Sequence, residues 1–211
     1  MTTQQFCITA ILASFLAGMG FCESVHGQTT NRPPTSAEIQ LEDELSGYIA
    51  DFTETYGMTN RRLRYAVMVL PAVEIPSATA IVYSWPVPHP PHETEIWIAL
   101  FTFHSADLLD LPPMAHRVIA AHEVAHLTST CLRFRHPGKG ATDEEINYFR
   151  SNVESCADIL AAQLTSYPDT LETLKLLKAR SDHEGYLDLR IEVIRQIMEM
   201  ERILGPGGED E

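Results

Sequence analysis

Apolar positions recur with two different periods along this chain, and the change of period divides it. A first helical stripe starts behind Thr35-Ser36-Ala37-Glu38, a capping box in which threonine and a glutamate three residues on can satisfy each other's backbone N–H groups. Ile39, Leu41, Leu45, Ile49 and Phe52 then fall on one face of a helix predicted to end near residue 55, with Gly57 suited to its C-terminal stop. Three short runs rich in Val, Ile, Tyr, Phe and Trp follow, over 63–70, 78–85 and 95–103, and these read as strands of a small mixed or antiparallel sheet. Pro71 closes the first run. Pro86, Pro88, Pro90 and Pro91 break the second, which makes it the natural edge strand, because proline offers no ladder donor.

From residue 112 the period returns to helical. Residues 113–130 form one amphipathic segment, and a loop with Pro137, Gly138 and Gly140 follows. Thr142-Asp143-Glu144-Glu145 is a second capping box, opening a helix predicted to reach about residue 165. Tyr167-Pro168-Asp169 should interrupt it, with further helices over 170–180 and 187–204 and a frayed tail over 205–211. With an extended leader over 28–34, no internal repeat and no linker of domain scale, 35–204 is expected to be a single α+β domain: a helix, a small sheet, two helices, then a helical C-terminus.

Residues 6–21 belong to neither pattern. This run is almost wholly apolar, short for a membrane span, and followed by Val25-His26-Gly27. It reads as a signal peptide over 1–27 cut before Gln28, although no Lys or Arg precedes it, and it implies a secreted or periplasmic protein. The rival reading is a short anchor; Phe21 before Cys22 disfavours a lipoprotein. A net charge of −14 argues against nucleic acid or an anionic membrane surface as partner. After residue 27 two cysteines remain, Cys131 and Cys156.

The chemistry concentrates in His122-Glu123-Val124-Ala125-His126. On a helix, residues four apart share a face, so two imidazoles one turn apart can reach one ion, while Glu123 can take a proton from metal-bound water. The variant with glycine and histidine three and six residues beyond the second histidine is excluded, because Ser129 and Leu132 stand there. A third ligand is found instead on the next capped helix, in Glu154-Ser155-Cys156-Ala157-Asp158. Glu154 completes a two-histidine, one-glutamate set with an open fourth position, the donor set of a catalytic zinc ion. Asp158, one turn on, can accept the other ring N–H of His122 and fix its tautomer. Cys156 is two residues from Glu154 and so points nearly opposite to it. A bond to Cys131 would require the loop to wrap round, so the pair reads as two buried thiols, with a disulfide as the alternative in an oxidising compartment.

These two helical motifs resemble those of the gluzincin metallopeptidases, in particular the group of the heat-shock protease HtpX and the CAAX prenyl endopeptidase; without membrane helices, the chain is similar to their compact soluble members, the minigluzincins. The resemblance spans roughly residues 63–194. It implies a zinc-dependent peptidase, an endopeptidase rather than an exopeptidase, whose edge strand binds an extended peptide or protein substrate. Ser77-Ala78-Thr79-Ala80 stands where relatives carry Asn-Ala-x-Ala. Relatives also use a His-Pro and an Arg-Ile pair at the oxyanion, for which His183-Glu184 and Arg190-Ile191 are the counterparts here, without the proline and with spacing one residue longer. The remaining histidines, His89, His92, His104, His116 and His136, read as polar surface residues without a role. The rival to an enzyme is a non-hydrolytic binding module that keeps zinc as scaffold, or a latent, self-blocked protein; intact Glu123 speaks against loss of catalysis.

Overall fold

The computed structural model describes residues 32–58, 63–70, 80–87, 96–133, 138–180 and 184–204. The expected signal peptide, Ser77 to Thr79 of the edge motif, His89, His92, His136, His183 and the tail all lie outside the described residues. Among the described residues no helix is long and apolar enough to cross a membrane.

Helix α1 (Ser36–Thr55) begins at the first capping box: the Thr35 hydroxyl accepts from the Glu38 amide at 3.2 Å, and the Glu38 carboxylate accepts from the Thr35 amide at 2.8 Å. Glu38 is buried, and its charge is met by Arg32 at 2.6 and 2.7 Å and by the Ser105 hydroxyl at 2.8 Å. Leu41, Leu45, Ile49 and Phe52 face the core as the period predicts, whereas Ile39 is half exposed.

The strands are β1 (Leu63–Leu70), β2 (Ala80–Val87) and β3 (Ile96–His104), in the order β1-β3-β2. An all-antiparallel sheet is excluded, because β1 pairs with β3 in parallel, Leu63 opposite Trp97 and Leu70 opposite His104. Strand β2 runs antiparallel on the other side of β3 and forms an edge. The second run was expected to stop at Pro86; it continues to Val87, with Pro86 opposite Trp97, a position tolerated because an edge strand has one unpaired side. Central β3 turns Ala99, Phe101 and Phe103 into the core, and Thr102 on its other face is buried as well.

His104 is buried rather than exposed, because β3 passes directly into a four-residue helix, α2 (Ser105–Leu108). Helix α3 (Pro113–Ala125) is buried on nearly all sides, packing on α1, β2 and two later helices. His116 is therefore a core residue, not a surface one; its Nε2 meets the Leu108 carbonyl at 2.8 Å and its Nδ1 lies 3.3 Å from Glu44. Helix α3 stops five residues earlier than its period suggested. Leu127 and Thr128 instead bond to the carbonyls of Val124 and Ala125, and a 3₁₀ turn follows at Cys131–Arg133.

Helix α4 (Asp143–Leu164) starts at the second capping box and packs beside α3. Alanines 121 and 125 on α3 and 157 and 161 on α4 are fully buried, and such small side chains permit close approach of two helices. Tyr167-Pro168-Asp169 does not lie between helices. It is the first turn of α5 (Tyr167–Lys178), capped by Ser166, where proline costs no intrahelical bond. Helix α6 (Glu184–Leu204) packs on α4 and α5 through Leu187, Ile191 and Ile194.

Candidate metal centre

His122 lies in the last turn of α3 and His126 is the residue that ends it, so their four-residue spacing is kept up to the helix terminus. The rings are nearly perpendicular, with centroids 4.6 Å apart, and the two Nε2 atoms face each other at 3.0 Å. Glu154, midway along α4, brings Oε2 to 3.1 Å from His122 Nε2 and Oε1 to 3.6 Å from His126 Nε2. All three donors lie within 4.8 Å of one another. Bonds of about 2.0–2.2 Å to a tetrahedral ion would separate its donors by about 3.3–3.6 Å, close to the distances found here. Two imidazole nitrogens and a carboxylate turned toward one point, with α3 buried around them, form a set that can hold one metal ion.

The surrounding shell fixes these donors. His122 Nδ1 donates to Asp158 Oδ1 at 2.8 Å, which leaves Nε2 as the ring's coordinating atom. Asp158 is buried in turn under Arg190 of α6, which donates from Nε to Oδ2 at 2.6 Å and from a terminal nitrogen to Oδ1 at 2.7 Å. The other terminal nitrogen lies 3.2 Å from Glu154 Oε2. One guanidinium thus ties the third ligand to the carboxylate that orients the first. The Tyr186 ring stacks beneath the same guanidinium, at 5.7 Å.

These contacts shift the ionisation of the whole group. Burial pushes the Glu123 carboxyl up to about 7, the Glu154 charge adding to the effect and His122 opposing it. Burial works against the charge on Glu154, but the His122 bond and the charges of His122 and Arg190 prevail and hold it at about 2. Asp158 is likewise held well below the usual carboxylate range: burial opposes this, and Arg190 and His122 outweigh it. For His122, burial lowers the pKa but Asp158 prevails and raises it to about 10, while burial and the neighbouring His122 press His126 down to about 4.

The structure brings His122, His126, Glu154 and Asp158 together, places Glu123 buried among them, and adds Arg190. Arg190, expected near an oxyanion, lies beside the donors and is bound to two carboxylates of the group. The reading of Cys131 and Cys156 as separate thiols is overturned: they form a disulfide with Cα atoms 5.7 Å apart. The turns that follow α3, at Leu127 and Thr128, supply the wrap-round and deliver buried Cys131 to Cys156 on α4. An even pair of cysteines flanking the loop between two ligand helices was the one signal of it in the sequence; Arg190's clamp had none. Compared with known proteins, the chain matches no family model, no curated protein and no solved structure.

Proposed function

We propose that this protein is a zinc-dependent peptidase that hydrolyses peptide bonds in extended peptide or protein substrates, with His122, His126 and Glu154 as metal ligands and Glu123 as general base. The observation that carries the reading is the convergence of those three donors within 4.8 Å between buried helix α3 and the neighbouring α4, with Glu123 adjacent to the first of them. The mixed nitrogen and oxygen donor set suits zinc. Zinc bound there supplies a Lewis acid and lowers the pKa of its water. Glu123, buried and with its pKa drawn up to about 7, is poised to accept a proton near neutral pH and return it to the leaving amine. Asp158 holds the ring of His122, and Arg190 holds Asp158 and Glu154. Strand β2 is an edge of the sheet and packs on α3, the helix of His122, so its outer side offers a place for an extended peptide to add. Export to a secreted or periplasmic space, with loss of residues 1–27, belongs to the same proposal.

The test separates base from ligand. Glu123→Gln should retain zinc while cleavage of a denatured protein mixture falls at least about 10²-fold. Glu154→Gln should lose zinc to a chelator series as well as activity. Zinc held equally by Glu154→Gln and lost by Glu123→Gln would reverse the assignment, and zinc without any cleavage by the parent would mark a binding module.

A further inference from the structure

The Cys131–Cys156 disulfide occupies a particular place relative to the donors. His126 caps the C-terminal end of α3, and the chain leaves the α-helical bonding pattern directly after it. Beyond it the Thr128 hydroxyl donates to the Ala125 carbonyl at 2.7 Å and accepts from the Cys131 amide at 3.3 Å, so Cys131 is tied by hydrogen bonds to the end of α3. Cys131 is buried and bonded to Cys156, which stands on α4 between Glu154 and Asp158, two residues from each. Without the bond, the backbone between the cysteines is a 25-residue excursion through the loop and the exposed first turns of α4. With it, the segment holding His126 and the segment holding Glu154 are joined covalently a few residues from each donor. Cys156 faces away from the metal side, so the sulfurs brace the donors from behind instead of competing for the ion.

We infer that this disulfide is a positioning element of the metal centre, so that tight metal retention requires the oxidised form of the protein. The inference rests on the metal reading above. Reduction by a dithiol would break the S–S bond, each sulfur gaining one electron and one proton, and would leave the dithiol as a disulfide. The end of α3 would then be held to α4 by non-covalent contacts alone, and the placement of His126 against the Arg190-supported His122 and Glu154 would be less tightly constrained. Changes in the support of metal ligands typically cost about 10–100-fold in affinity, and a loss in that range is expected here.

The experiment measures zinc affinity of the full chain by competition with a chromophoric chelator. The oxidised parent is compared with the parent reduced by a water-soluble phosphine, which does not bind zinc as dithiols do, and with the Cys131→Ser, Cys156→Ser double variant. Mass spectrometry confirms the state of the cysteines, and circular dichroism confirms that the helices persist. The expected result is at least tenfold weaker zinc binding in both the reduced parent and the variant, with no further effect of phosphine on the variant. Should the serine variant unfold, Cys131→Ala with Cys156→Ala, which buries no hydroxyls, takes its place. Equal affinity in the oxidised and reduced parent would overturn the inference and leave the metal centre standing. An oxidised parent that binds no zinc would overturn both.

Discussion

Arg190→Met is the most informative single change in this structure. Methionine keeps an unbranched apolar stem that can stay buried where Arg190 is, while the charge is removed. The arginine side chain is 10% exposed and Asp158 is 3% exposed, so their two bonds at 2.6 and 2.7 Å are poorly screened by water. The contact with Glu154 counts for less, because that carboxylate is 28% exposed. Breaking a buried pair by deleting one partner typically costs about 3–5 kcal/mol; since Asp158 keeps the His122 N–H, a loss of about 3 kcal/mol is expected. Urea denaturation at pH 7 in the presence of a chelator measures it. A double-mutant cycle with Asp158→Asn should return a coupling of about 2 kcal/mol, since the second substitution removes the stranded charge. Asp158's pKa lies below its ordinary 3.8 when folded, so the stabilisation is present above about pH 4 and is lost as the pH falls through the folded value. The gap between parent and variant should accordingly narrow in acid. A cost under about 1 kcal/mol at pH 7, or a coupling near zero, would refute the claim that this pair holds α6 to the metal centre.

Three further outcomes are expected. The purified chain should hold about one zinc ion per molecule by elemental analysis, and the His122→Ala, His126→Ala double variant should hold none. In chelator-treated protein, Glu123→Gln should be more stable than the parent at pH 8, by at most about 3 kcal/mol. Folding raises the Glu123 pKa from 4.5 to about 7, so its contribution is intact below pH 4.5 and lost as the pH climbs through 7; the advantage should therefore vanish near pH 4, and equal melting at both pH values would count against it. Protein recovered from its native compartment should begin at Gln28, and an intact mass that still includes Met1 would point instead to an anchor or to a protein that is not exported.

What could be read from the order of residues was what depends on near neighbours. Both capping boxes satisfy their own backbone groups within four residues, and both open helices where expected, at Ser36 and Asp143. The spacing of His122 and His126 converts directly into a shared helix face, as does that of Glu154 and Asp158. Apart from the meeting of Glu154 and Asp158 with His122, relations across distance were not legible. The parallel pairing of β1 with β3 depends on which edge the intervening strand takes, and alternation alone is the same for either direction. Burial of His104 and His116 followed from the packing around them, since a histidine carries no sign of whether a carbonyl such as that of Leu108 waits nearby. Arg190 meets Asp158 across 32 residues, and Cys131 meets Cys156 across 25. Each of those contacts needs two elements docked at one angle and height, which side-chain periodicity leaves open and only the packed core decides.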